Sequence, residues 1–390
     1  MRIVRGETVK VGIIGCGRMA QVGHLHFLAR HPSVRIAGVA DTKQQTARTA
    51  ARKYRAENYF SSAEELIEKA RPDAVVICTP PWHHPEATIL AAENKIHILC
   101  EKPMALTTQD CKKMIAACKK NEVYLQIGFV NRFDPGFVKI KEIIRRGDMG
   151  KVYQLSGIYY MLIPDVDSPP LRSIMRAARA IGVKEEDLGG WRVRDSRAGG
   201  VLTDFGIHFI DLFRWFADDP VTSAAGFTQR VVQTRTNEDH AACVLRFKSG
   251  ATAYIEAGLC PLTARDMKIH GLIHGERMSL SFAMDNMWFT KGPPLYYNTY
   301  AHVKKYTGVS LVVDKWQNVP VLHGRNFFMC KRQTDHFIQM IRGKLRPYAG
   351  IGEKWGATGE DGLEATRIVE EIYKKEKNKP RRHGGTEKSV

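Results

Sequence analysis

Short apolar runs alternate with amphipathic stretches along the first third of the chain. Segments 11–14, 34–40, 74–78, 96–100 and 123–128 are rich in Val and Ile and too short for buried helices, so they read as strands. Helical spacing fills the gaps: from a glycine turn at 15–20 to about Arg30, then over 44–54, 63–69, 84–93 and 108–121. Thr107 or Thr108 is the N-cap of the last of these. This alternation predicts a parallel sheet covered by helices. After Gly128 the pattern changes. Asp134-Pro135 opens a helix to about Arg146. Segments 151–161, 221–233, 239–247, 251–258 and 266–274 then read as longer strands, two of them joined by the Lys248-Ser-Gly250 turn. A mostly antiparallel sheet is expected, with a helix at 203–216 packed on it. Helices at 330–343 and 360–376 close the chain.

The helix at 203–216 carries an unusual load. Phe205, Ile207, Phe209, Ile210, Leu212, Phe213, Trp215 and Phe216 make it strongly apolar, yet Asp204, His208 and Asp211 fall at i, i+4 and i+7 on one face. Burying a carboxylate and an imidazole costs desolvation, which something must offset. Either these groups simply satisfy one another, or Asp204 orients His208 for proton transfer near neutral pH. Gly206 between them leaves the backbone bare to a ligand.

Gly15-x-Gly17-x-x-Ala20 lies between a strand and a helix. The first glycine permits the tight turn, the second lets backbone approach a pyrophosphate at the helix N-terminus, and Ala20 permits close helix–strand packing. Asp41 ends the second strand, placed for adenosine ribose hydroxyls, and favours NAD. Lys43 nearby keeps NADP open. Glu101-Lys102-Pro103 directly follows a buried strand, at the sheet edge where ligands of such folds bind.

Together these residues resemble the Gfo/Idh/MocA oxidoreductases, the family of glucose-fructose oxidoreductase, inositol dehydrogenase and rhizopine catabolism proteins. The matching motifs are Gly15–Ala20, Thr79-Pro80-Pro81 with His84, Glu101-Lys102-Pro103, Gly128-Phe-Val-Asn-Arg-Phe-Asp-Pro135, and Gly199-Gly200 followed by Asp204-x-Gly206-x-His208-x-x-Asp211. The resemblance runs from about residue 10 to residue 376. It implies a Rossmann dinucleotide-binding domain (1–128), an α+β domain with a large, mostly antiparallel open sheet (129–376), and a basic tail (377–390). It also implies bound NAD or NADP, contacted by Gly15, Gly17, Arg18, Met19, Asp41, Thr79, Pro80, His84, Glu101 and Lys102. Lys102, Asp204 and His208 become the catalytic group, and Asn131, Arg132, Tyr159, Trp191 and Arg192 the substrate contacts. Pro81 replaces the family's usual Asn, removing one cofactor contact. The segment 164–198 is longer than in the smaller sugar dehydrogenases.

The reaction so implied is hydride transfer from a secondary alcohol of a sugar, glycoside or polyol. His208 is the expected base, and Lys102 stabilises the alkoxide and lowers the His208 pKa. Two alternatives use the same fold: elimination of a glycosidic group after transient oxidation, and a non-catalytic regulator responding to sugar or cofactor. A homodimer or homotetramer is expected.

Composition narrows the partners. The formal charge is +18, and residues 374–390 hold seven Lys and Arg against two Glu. No aromatic–basic repeat accompanies that charge, so a solvated basic surface is expected rather than nucleic-acid binding. The apolar stretch near the N-terminus is too short for a signal sequence, and no run suits a membrane helix, so a cytoplasmic protein is expected. Eight cysteines form no CxxC, and the His83-His84 and His270/His274 pairs lack a third ligand; no metal is expected.

Overall fold

The computed structural model describes residues 3–4, 8–161, 195–232, 235–259, 269–284, 299–307, 310–315, 328–344 and 355–377. The first sheet contains β1 (Val9–Ile14), β2 (Val34–Ala40), β3 (Tyr59–Phe60), β4 (Ala74–Ile77), β5 (His97–Cys100) and β6 (Leu125–Ile127), all parallel, in the order β6-β5-β4-β1-β2-β3. Every residue of β4 and β5 is buried, as expected for strands covered on both faces. The order of strand addition reverses between β1 and β4, which opens a crevice at the carboxyl ends of these parallel strands.

The second sheet has eight strands: β7 (Val152–Tyr160), β8 (Val221–Gln229), β9 (His240–Phe247), β10 (Thr252–Gly258), β11 (Ile269–Gly275), β12 (Met278–Met284), β13 (Thr299–Thr307) and β14 (Ser310–Lys315). Their order is β14-β13-β12-β11-β7-β10-β9-β8, antiparallel except for the β7–β10 pair. In β9 buried residues alternate with more exposed ones, because only one face is covered. The helix Ile207–Ala217 covers that face. Its Phe209 and Phe213 rings lie where a Cβ on Gly157 would come within 2.9 Å of each, so glycine in the middle of β7 lets the helix seat.

The predicted elements recur within a few residues of their expected bounds. Thr107 caps the helix Thr108–Lys120 through the Asp110 N–H, and Asp134 caps Pro135–Arg145 through two N–H groups. Strands β3, β12, β13 and β14 were not anticipated. A further strand, β15 (Ala357–Thr358), pairs antiparallel with β6, so the chain returns to the first sheet. The helix Phe328–Ile341 buries Phe337, Ile338 and Ile341 in the core beneath β1. The helix Gly359–Lys377 buries Ala365, Ile368 and Ile372 in the core shared by both sheets. Among the described residues no helix is long and apolar enough to cross a membrane.

Candidate active site

Five of the expected site segments leave the carboxyl ends of neighbouring parallel strands. Gly15 follows β1, Asp41 follows β2, Thr79 lies just beyond β4, Glu101 and Lys102 follow β5, and Asn131 lies just beyond β6. Gly15 has φ +88°, and a Cβ there would strike the backbone of Cys78 and Thr79 at 2.8 Å, so the turn demands glycine. A Cβ on Gly17 would meet no atom within 4 Å, leaving open ground before the helix that carries fully buried Ala20. Arg18 is exposed there and Met19 half-buried. The Asp41 carboxylate accepts from the Cys16 and Lys43 N–H groups, each at 2.9 Å, and so braces the glycine loop. Thr79 Oγ1 is buried without a hydrogen-bond partner. An open helix N-terminus, a carboxylate at the end of β2 and an unsatisfied hydroxyl across the crevice suit the diphosphate, ribose and polar edge of a dinucleotide.

Lys102 reaches across to the second layer. Its Nζ donates to Asp204 Oδ1 and to the Asp204 carbonyl oxygen, both at 2.6 Å, and stands 5.5 Å from the Phe205 ring centroid. An ammonium has three donors, so Asp204 accounts for two of its N–H groups. Leu202–Gly206 is a π-helical turn leading into Ile207–Ala217. Such turns change the phase of a helix and concentrate at functional sites. The expected contact, with Asp204 orienting His208, is therefore corrected: the Asp204 carboxylate serves Lys102, and His208 Nδ1 is buried without a hydrogen-bond partner. His208, 8% exposed, stacks on Tyr159 (ring centroids 5.9 Å apart, 16° between planes) and meets Phe129 edge-on. Burial, with a smaller push from the Lys102 charge, lowers its pKa to about 3 against the pull of Asp204. The ring is neutral across the physiological range.

Three expected ligand contacts are corrected. Arg132 is 3% exposed; its fork grips Asp211 at 2.8 and 2.5 Å, and Nη1 reaches Asp361 at 3.2 Å. A guanidinium so committed has no face for substrate. His84 is fully buried, its two ring nitrogens 2.9 and 2.8 Å from the carbonyls of Pro103 and Thr79. Burial pushes this imidazole down. It ties the Thr79 loop to the Lys102 turn and does not face the crevice. The Glu101 carboxylate turns inward to His24, at 2.7 Å. Asn131 is buried, and its turn, Val130–Phe133, adjoins the helix Ile207–Ala217. Trp191 and Arg192, like the tail at 378–390, lie outside the described residues.

Three contributors escaped the sequence reading. His24 is one; a histidine on the apolar face of the dinucleotide helix was its only signal. The second is Arg197, whose guanidinium lies 4.5 Å from the Trp82 ring centroid and joins the loop after β4 to the segment before Gly199. The third is Glu238, bonded to Tyr373 and pressed against Gly200, where a Cβ would lie 1.6 Å from its carboxyl carbon. That contact explains Gly200, and burial raises the Glu238 pKa. Among the described residues no group of three or more His, Cys, Asp or Glu is arranged to hold a metal, and the seven described cysteines are free.

A glycine-loop crevice with a lysine–aspartate pair and a buried histidine nearby suits a nicotinamide cofactor. Comparison with known proteins agrees. Residues 9–129 match the model of the Gfo/Idh/MocA oxidoreductase family, NAD-binding Rossmann fold, and residues 137–281 match the Gfo/Idh/MocA C-terminal domain. The chain belongs to this family, and its first domain is an NAD-binding Rossmann domain. It is 30% identical to myo-inositol 2-dehydrogenase of Thermotoga maritima, over 67% of this chain and 72% of that protein. It is 24% identical to D-glucoside 3-dehydrogenase of Escherichia coli K12, over 74% and 78%. The fold is also similar to that of levoglucosan dehydrogenase in complex with NADH and levoglucosan, with a TM-score of 0.77, 22% identity, and coverage of 95% of this chain and 97% of that chain.

Proposed function

We propose that this protein is an NAD-dependent dehydrogenase oxidising a secondary alcohol of a sugar, glycoside or polyol. The observation that carries this reading is the meeting of Lys102, Asp204 and neutral His208 at the crevice edge. The relatives named for inositol and glucoside oxidation support the substrate class. When bound, NAD supplies the hydride acceptor. Gly15, Gly17 and the following helix N-terminus would hold its diphosphate, and Asp41 its adenosine ribose. A carboxylate at that position repels a 2′-phosphate, which favours NAD over NADP. Lys102 donates an N–H to the reacting oxygen and stabilises negative charge there. Asp204 holds Lys102 in place. His208, kept neutral, accepts the hydroxyl proton, with Tyr159 fixing the plane of its ring. Asn131 would offer its amide to substrate hydroxyls. We extend the proposal to self-association through the uncovered face of the second sheet, where Phe227 is 68% exposed and Val244 and Leu272 nearly half exposed. A monomer in sedimentation equilibrium would refute that part.

Screening neutral sugars, glycosides and inositols with NAD and NADP tests the activity by absorbance of reduced nicotinamide. Replacing His208 with Ala should then cut kcat by roughly 10²-fold or more while NAD binding survives. Near-wild-type kcat would move the proton to Lys102 or Tyr159.

A further inference from the structure

Glu101 and Lys102 are consecutive residues at the end of β5, and each is bound into a π-helical turn of a different layer. Lys102 bonds Asp204 in the turn Leu202–Gly206. Glu101 bonds His24 in the turn Ala20–Leu25, on the helix that follows the glycine loop. His24 is fully inaccessible, and the Glu101 side chain is 10% exposed. Glu101 is fixed from two further sides. Its Oε2 accepts the Lys102 N–H at 3.3 Å, and a Cβ on Gly128 would lie 2.9 Å from that oxygen. A buried ionisable pair adds little stability over an apolar pair of the same volume. Two π turns meeting at one dipeptide also exceed what packing requires, since such turns are rare outside functional positions.

We infer that His24 and Glu101 form a positioning pair that sets Lys102 against the cofactor, by tying the dinucleotide helix to the turn that carries the lysine. The link is short: His24 Nε2 to Glu101 Oε1, then Glu101 Oε2 to the Lys102 N–H. A shift of the helix on binding the diphosphate therefore moves the backbone of Lys102. Both residues act through Lys102 and touch neither substrate nor the reacting atoms. The inference rests on the dehydrogenase reading of the Lys102 site.

The test uses the full chain in three forms besides wild type. His24→Leu removes the donor at similar volume. His24→Gln restores a donor near Nε2. The double variant His24→Leu/Glu101→Met makes the pair apolar. Three quantities are read: kcat, the NAD dissociation constant by calorimetry, and the rate at which an amine-acylating reagent labels Lys102, followed by peptide mass spectrometry. Displacements of about 1 Å cost roughly 10²-fold in rate, so His24→Leu should lose 10- to 100-fold in kcat. NAD affinity should stay within threefold and Lys102 labelling should quicken severalfold. His24→Gln should recover most of both losses. The double variant should match or exceed wild type in melting temperature, because no buried charge is left unpaired, yet remain slow and quickly labelled. Recovery of wild-type kcat and labelling in the double variant would reduce the pair to packing and overturn the inference. So would a His24→Leu protein that binds NAD, turns over and labels like wild type. Should His24→Leu not fold, the double variant alone decides on the same readouts. Absence of NAD-dependent turnover in wild type would instead sink the dehydrogenase reading, since labelling of Lys102 reports its position without turnover.

Discussion

Asp204 and Asp211 stand seven residues apart, and each closes an ion pair with a cation from a loop leaving the first sheet. Asp211 meets Arg132 beyond β6, with both partners 3% exposed or less and the fork doubly bonded. Asp204 meets Lys102 beyond β5, with side chains 13 and 15% exposed. The first pair is closed. Asp361 takes the remaining guanidinium arm, and Arg214 approaches Asp361 at 3.7 Å. A rigid, saturated fork fixes how the Ile207–Ala217 helix sits on the first sheet. The second pair is open. A rotatable ammonium at the edge of a crevice can follow a reacting oxygen as its charge changes. One short motif thus supplies a structural carboxylate and a chemical one, and partner and exposure distinguish them.

The strongest test of that contrast is Lys102→Met. Loss of charge stabilisation at the reacting oxygen should lower kcat by roughly 10²- to 10³-fold. Melting temperature should hardly change, because a partly exposed pair adds little stability. A large fall in melting temperature would show that both pairs are structural. Arg132→Met should do the reverse. It leaves Asp211 buried and unpaired, so urea unfolding should show a loss of about 3–5 kcal/mol. The protein still folded at low temperature should keep kcat within about threefold of wild type, a tolerance set by the indirect role of the pair. A hundredfold loss of kcat with unchanged stability would place Arg132 in the chemistry after all.

Much of this was legible in the sequence. The glycine turn, Asp41 and Lys102 sit at strand ends and His208 and Asp211 on the apolar helix, as their spacing predicts, because strand ends and helical periodicity are local properties; Asp204 falls in the π turn before that helix. The assignment of partners was not. Nothing in Asp204-x-Gly206-x-His208-x-x-Asp211 says that a π turn precedes the α-helix, and that turn is what gives Asp204 to Lys102. Arg132 reads as a substrate fork until Asp211 and Asp361, 79 and 229 residues away, are seen to fill it. Glu101 reads as a cofactor ligand until His24, 77 residues earlier, closes on it. Long-range polar pairing leaves no periodic trace, whereas apolar faces do.

The smallest effect expected is on stability as a function of pH, and it too separates the two regions. Burial lowers the folded-state pKa of His208 to about 3 and of His336 to about 4, and lowers those of His84 and His31 as well. A histidine with a depressed folded pKa is neutral when native but binds a proton when unfolded, below about pH 6.5. The unfolded state then holds more protons, so stability is fully present above pH 6.5 and falls as pH drops toward the folded pKa values. The slope is about 1.4 kcal/mol per pH unit for each such group. Carboxylates held low by cationic partners, such as Asp361, act in the same direction, but only as pH falls below their ordinary range near 4. Between pH 6.5 and 4.5 the histidines act against Glu238 and Asp211, whose carboxyl pKa values burial raises. Replacing His208 with Phe should flatten the urea-unfolding free energy there by about one proton's worth of slope. Arg132→Met should shift the whole curve downward and reduce the slope as well, because Asp211 loses the charge that opposes its burial-raised pKa. If His208→Phe leaves the slope unchanged, the ring is not held neutral by burial. The case for a neutral imidazole beside Lys102 then fails, whatever the ion pairs do.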